Sequence, residues 1–141
     1  MSRSFSVLLV EDDAPLRGSL ADLLAAWGWR VFPTGFGPEA VLLARTTPFD
    51  FSLMDLHLPG MTGLEVLRTI RRERLLPSIM MSGQATPEET CAALDAGAFT
   101  FLQKPLDLVR LREVVGLLQQ RYFGAPAGQF GVPRPPPTLG S

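Results

Sequence analysis

Two places along this chain put carboxylates directly after apolar runs. Glu11-Asp12-Asp13 follows Val7-Leu8-Leu9-Val10, and Asp55 follows Phe51-Ser52-Leu53-Met54. Two further polar residues occupy equivalent places: Ser82 closes the run Ser78–Ser82 and is followed by Gly83, and Lys104 closes Phe99–Gln103 and is followed by Pro105. Carboxylates brought together at the end of apolar strands repel and raise one another's pKa. A hard divalent cation with oxygen ligands relieves this, and Mg²⁺ is typically held by one or two carboxylates together with water and phosphate. A carboxylate nucleophile, a cation, a hydroxyl and a point positive charge together make the set required for phosphoryl transfer to an aspartate. The choice of lysine is informative, because the chain has twelve arginines and this one lysine. A compact ammonium fits beside a phosphate where a forked guanidinium would clamp it.

The same apolar runs define the elements that must carry these groups. Five β-rich segments (Phe5–Val10, Arg30–Pro33, Phe51–Met54, Ser78–Ser82 and Phe99–Gln103) alternate with segments of helical period. Leu16, Leu20, Leu23, Leu24 and Trp27 form the stripe of a first helix stopped by Gly28. A weaker second helix covers roughly Pro38–Thr46. A third opens with a capping box, Thr62 and Glu65, and buries Leu64, Leu67 and Ile70; a fourth opens at Thr86-Pro87 with Glu89 closing its box and ends at Gly97. Asp107 caps a fifth helix with Leu108, Leu111, Val115 and Leu118 on one face. The alternation predicts an α/β fold: a flavodoxin-like, doubly wound parallel sheet of strand order 2-1-3-4-5 with five helices. In that order a site belongs at the carboxyl ends of strands 1 and 3, where the winding reverses. Glu11, Asp12 and Asp55 stand there; Asp13 reads as the start of the first helix.

Four motifs in order resemble the receiver domains of two-component response regulators over about residues 5 to 122. They are Val10-Glu11-Asp12-Asp13, the stretch Met54-Asp55-Leu56-His57-Leu58-Pro59-Gly60-Met61-Thr62-Gly63, Met81-Ser82-Gly83, and Phe101-Leu102-Gln103-Lys104-Pro105. The resemblance implies that Asp55 is the phosphoacceptor, with Ser82 and Lys104 acting on the phosphoryl group. It implies Mg²⁺ bound by Asp12 directly, Glu11 through water, Asp55, and the backbone carbonyl of His57. Phe101 matches the aromatic residue that turns inward on activation, together with Ser82 as the switch pair, and a cis Lys104–Pro105 peptide is implied as well. By the same resemblance, His57 and Gln84 flank the path of hydrolytic water. The implied partners are a sensor histidine kinase or phosphotransfer protein and a downstream effector, meeting a surface formed by the fourth helix, fifth strand and fifth helix. Association through that face would pair Glu88 and Glu89 with Arg110 and Arg112 in a weak dimer at most.

Composition bounds the rest. The chain has 141 residues, 46% hydrophobic and 19% charged, with a net charge of −1, so no electrostatic footprint for nucleic acid is visible. The basic run at Arg68, Arg71, Arg72 and Arg74 reads as a solvated helix face. No apolar run approaches the ~18 residues of a membrane span, and the N-terminus lacks a signal-peptide pattern, so a cytoplasmic protein is expected. One cysteine, Cys91, excludes an internal disulfide and reads as a buried or half-buried helix residue. The expected organisation is a receiver at 1–122 and a Pro/Gly-rich flexible tail or linker at 123–141. A Mg²⁺-dependent phosphohydrolase with an aspartyl nucleophile is a poorer match, because the place two residues after Asp55 is His57 rather than an acid. A receiver fragment of a longer transcriptional regulator and a phosphorylation-independent pseudo-receiver are further alternatives. In every signalling reading the chain is a switch rather than an enzyme.

Overall fold

The computed structural model describes residues 5–124, and the expected tail lies almost wholly outside them. Its elements follow in the order β1 (Ser6–Val10), α1 (Ala14–Ala26), β2 (Arg30–Thr34), α2 (Gly37–Thr46), β3 (Phe51–Asp55), α3 (Gly63–Arg71), β4 (Ser78–Ser82), α4 (Pro87–Asp95), β5 (Thr100–Gln103) and α5 (Leu108–Phe123). All neighbouring strands are parallel, and the order is β2-β1-β3-β4-β5 as the alternation predicts. The reversal of winding therefore falls between β1 and β3.

Period-2 alternation divides the strands between two cores. Val7, Leu9, Phe51, Leu53, Ile79 and Met81 face α1 and α5, where Leu20, Leu24, Leu111, Val114, Val115 and Leu118 meet them. Leu8, Val10, Met54 and Met80 face α2, α3 and α4, where Ala40, Val41, Ala44, Val66, Leu67, Ile70 and Ala93 pack. Burial on both faces explains why the central strands read as continuous apolar runs. Trp27 and Trp29 are both core residues; Trp29 packs edge-on against Phe51 with ring centroids 4.7 Å apart. Within β3 and β4 the only buried polar side chains below the site are paired: Ser52 donates to Ser78 Oγ at 2.6 Å, and Ser78 donates to the Leu76 carbonyl at 3.0 Å.

Helix ends follow the local chemistry. Thr62 with Glu65 and Thr86 with Glu89 form complete capping boxes, and Asp13 and Asp107 cap α1 and α5 through their side chains. Gly28 and Gly97 take positive φ values of 99° and 105°, where a side chain would be strained. The Lys104–Pro105 peptide is cis.

Four details depart from expectation. Leu108, expected on the apolar face of α5, is exposed, because the buried stripe begins a turn later at Leu111 and runs on through Val114, Val115 and Leu118. In α3, Leu64 is only half-buried, and Val66 takes the inner position beside Leu67 and Ile70. Cys91 is exposed, because α4 meets the sheet through Ala93 and Ala96, three residues apart, and position 91 falls off that stripe. Arg74 is not a solvated charge: its guanidinium donates to the carbonyls of Ala44, Thr47 and Phe49, tying down the C-terminal end of α2.

Behind the site, α3 starts against the end of β3 itself. The Gly63 N–H donates to the Leu56 carbonyl at 2.8 Å, and a Cβ at Gly63 would lie 2.1 Å from the Asp55 carbonyl oxygen and 2.9 Å from Leu56 Cα. Those obstacles are backbone and cannot swing aside. Gly63→Ala should therefore lower stability by more than about 2 kcal/mol, an overpacking cost measurable by urea unfolding; an unchanged midpoint would show that α3 can shift freely.

Candidate functional site

The site is built from strand ends. Because β1 and β3 are neighbours in register, with Val10 opposite Met54, the residues that follow or close them meet at the same rim. Carboxylate oxygens of Glu11, Asp12 and Asp55 all lie within 4.8 Å of one another. Glu11 and Asp55 are buried and Asp12 is exposed. From β5, on the far side of β4, Lys104 reaches back across the rim. Its Nζ donates to Glu11 Oε1 at 2.5 Å and to Asp55 Oδ2 at 2.7 Å.

The remaining carboxylate oxygens are held by main chain. Glu11 Oε2 accepts the Asp13 N–H at 3.0 Å, and Asp55 Oδ1 accepts the His57 N–H at 2.9 Å. Burial pushes the Glu11 carboxyl above its ordinary value; the Lys104 hydrogen bond and the Asp13 N–H oppose this, while the Asp55 charge reinforces it. For Lys104, burial alone favours loss of the proton, but hydrogen bonds to Asp55 and Glu11 outweigh it and the ammonium is held more firmly than usual. The cluster is thus two buried carboxylates around one ammonium, with the third carboxylate at its open side.

Ser82 is buried at the end of β4 and His57 is exposed at the start of the β3–α3 connection. The Ser82 hydroxyl lies 3.0 Å from His57 Nδ1 and accepts the Gln84 N–H at 3.2 Å. Asp55, His57, Gly83, Gln84 and Lys104 line an open cleft of about 360 Å³ above the carboxylates. Phe101 is half-buried against the α2–α3–α4 side, and with Ser82, Ala85, Thr90 and Gln103 it lines a separate hollow of about 240 Å³. The structure therefore gathers Glu11, Asp12, Asp55, Ser82, Lys104 and His57 at one rim and sets Phe101 behind Ser82.

Sequence reasoning missed two contributors. Arg17, one turn into α1, points back toward the helix N-terminus and donates to the Glu11 carbonyl at 2.8 Å. Its place on α1 just after the acidic triplet was the available signal. Glu89 reaches the His57 ring from α4, and no spacing in the sequence announces that contact.

This fold and rim define a class, the flavodoxin-like α/β domains with an acidic cluster at the ends of their strands. The chain matches the family model of the response regulator receiver domain over residues 7–116 and belongs to that family. It is 37% identical over 100 residues to the cell cycle response regulator CtrA of Brucella ovis and of Brucella abortus, a match covering 70% of this chain and 43% of theirs. The chain thus spans less than half the length of these curated relatives. Among solved structures, the Vibrio cholerae chemotaxis protein CheY4 superposes with a TM-score of 0.73 at 27% identity, covering 85% of this chain and 99% of that one. A CheY-like receiver domain protein from Methanospirillum hungatei superposes with a TM-score of 0.80 at 26% identity, covering 87% and 100%.

The raised Glu11 carboxyl carries a pH consequence. A folded-state pKa above the ordinary 4.5 means that the stability linked to this group is present in acid and is lost as pH climbs through the raised value. Glu11→Gln resembles the protonated side chain at every pH. Without divalent metal, Glu11→Gln and wild type should unfold alike near the acid end, and the variant should gain about 1 kcal/mol over wild type as pH rises toward neutrality. Paired urea titrations across pH check this; a gap that closes as pH rises would reverse the sign.

Proposed function

We propose that Asp55 accepts a phosphoryl group from a sensor histidine kinase or phosphotransfer protein, in the presence of Mg²⁺, and that the modified domain signals to an effector. The single observation that carries the reading is the arrangement at Asp55. Its buried carboxylate is oriented by Lys104 and the His57 N–H, opens onto a cleft, and lies within 4.8 Å of Glu11 and Asp12. The donor set fits the metal: three hard carboxylate oxygens, the ligand type Mg²⁺ prefers, lie within 4.8 Å of one another. Asp12, Asp55 and the His57 carbonyl would hold the ion, with Glu11 acting through water. When bound, Mg²⁺ supplies charge neutralisation for the transferring phosphoryl oxygens.

The chain's own residues supply the rest. An Asp55 carboxylate oxygen attacks the donor's phosphorus; the new O–P bond forms as the donor's P–N or P–O bond breaks and the leaving group keeps the electron pair. Lys104, already within hydrogen-bond distance of Asp55, pairs with the developing negative charge. The Ser82 hydroxyl, on the adjacent strand end, is the donor available to a phosphoryl oxygen. The hollow between Ser82 and Phe101 supports the switch reading, because it offers room for the ring if the hydroxyl moves toward Asp55. The responding surface would be α4–β5–α5, where Leu94, Leu108, Val109 and Tyr122 are exposed. Of the charges proposed for association there, Arg110 is exposed, whereas the Arg112 guanidinium lies 5.5 Å from the centroid of the Trp27 ring and is partly spent on that contact. A monomer or weak dimer, with no direct nucleic-acid binding by this chain and the cytoplasm as its compartment, completes the proposal. The described residues include no helix long and apolar enough to cross a membrane.

Incubation with acetyl phosphate and Mg²⁺ should add a single phosphoryl group, detected by intact mass. Asp55→Asn or chelation of the metal should abolish the addition. Equal labelling of the Asp55→Asn protein would overturn the assignment, and undiminished labelling in excess chelator would remove the metal from it.

A further inference from the structure

Glu89 sits in the first turn of α4, outside the carboxylate cluster, yet its side chain performs two tasks at once. Oε1 accepts the Thr86 N–H at 2.9 Å as one half of the α4 capping box, and Oε2 lies 3.0 Å from His57 Nε2. The other ring nitrogen, Nδ1, lies 3.0 Å from Ser82 Oγ. Three side chains from α4, the β3–α3 connection and β4 thus form an unbroken line from a helix cap to the hydroxyl beside Asp55. A carboxylate only accepts, so the hydrogen between Glu89 and the ring resides on Nε2. In the neutral ring Nδ1 is then an acceptor, and the Ser82 hydroxyl is its donor. The single Ser82 hydrogen is committed to His57 and cannot simultaneously be given to a phosphoryl oxygen on Asp55.

The geometry points to Glu89 as a positioning residue for phosphoryl transfer: by fixing the His57 ring it keeps the Ser82 hydroxyl turned away from Asp55. Acyl phosphate formation draws the hydroxyl back and breaks the line at the ring, which returns a free carboxylate oxygen to the start of α4. The coupling is reciprocal, so whatever holds Glu89 to His57 also resists phosphorylation. The inference rests on the phosphoryl-transfer reading of Asp55. The backbone is not required to move, because the His57 N–H stays on Asp55 Oδ1 while the ring swivels.

The magnitude is modest. The His57 and Glu89 side chains are 46% and 40% exposed, and a pair in such contact with water shifts an equilibrium or rate by about 2- to 5-fold. Initial rates of labelling by acetyl phosphate with Mg²⁺ should rise by about that factor in Glu89→Ala. Glu89→Gln has a single acceptor oxygen, which can serve the ring or the cap but not both, and its rate should fall between those of wild type and Glu89→Ala. Thr86→Ala breaks the same capping box while leaving the Glu89–His57 contact in place, and should label as wild type does. His57 is the chain's only histidine, so its ring nitrogens give one imidazole set in a ¹⁵N spectrum. That set should report the Nε2–H tautomer in wild type and in Thr86→Ala, and a mixture of tautomers in Glu89→Ala. An unchanged rate in Glu89→Ala, or equal acceleration by Thr86→Ala, would overturn the proposal while leaving Asp55 phosphorylation standing. A wild-type chain that takes no label at all would instead remove the phosphoryl-transfer reading, and this inference with it.

Discussion

The rest of the structure depends on how two carboxylates are kept together at the end of an apolar sheet. Glu11 and Asp55 are almost fully withdrawn from water and lie within 4.8 Å of each other. At that separation, two full charges at an effective dielectric of ~20 repel by roughly 3 kcal/mol. Lys104 relieves the repulsion by bonding both, and the N–H groups of Asp13 and His57 saturate the outward oxygens. Burial, reinforced by the Asp55 charge, still displaces the Glu11 carboxyl toward its neutral form. A fold that spends stability in this way holds a site with an unmet demand for positive charge.

Topology converts this local demand into an address. Parallel strands with crossover helices leave both sheet faces covered, so polar chemistry can only accumulate at strand ends. The β1–β3 register brings Val10 opposite Met54, and β3–β4 brings Asp55 opposite Met81, one residue short of Ser82. Gly63 allows the start of α3 to lie against the Asp55 carbonyl, so the backbone of Asp55 is braced from behind as its side chain is braced from in front.

Much of this was legible in the sequence, for definite reasons. Strand runs buried on both faces are continuous and apolar, and capping boxes at Thr62 and Thr86 mark helix starts by a three-residue spacing that survives translation into structure. Residues at strand ends inherit their location from the strands, so Glu11, Asp12, Asp55, Ser82 and Lys104 could be placed without coordinates. What was not legible depends on side-chain direction across elements. Arg74 stands in a basic run that periodicity assigns to solvent, yet it finds three carbonyls at the end of α2. Cys91 lies in a short, weakly amphipathic helix where two alanines decide which face turns inward. The His57–Glu89 contact joins residues 32 apart through a ring whose orientation no spacing encodes.

The pair of serines buried between β3 and β4 has a consequence for how the sequence can drift. Its hydrogen bonds run one way, from Ser52 to Ser78 and from Ser78 to the Leu76 carbonyl. Loss of the Ser52 hydroxyl leaves the second bond intact and strands no donor. Loss of the Ser78 hydroxyl strands the Ser52 hydrogen and strips the Leu76 carbonyl of a partner, at two fully buried positions. Two serines that look equivalent in composition, burial and strand position are therefore unequal as targets of mutation: position 52 can wander toward alanine alone, whereas position 78 can change only after position 52 has already done so.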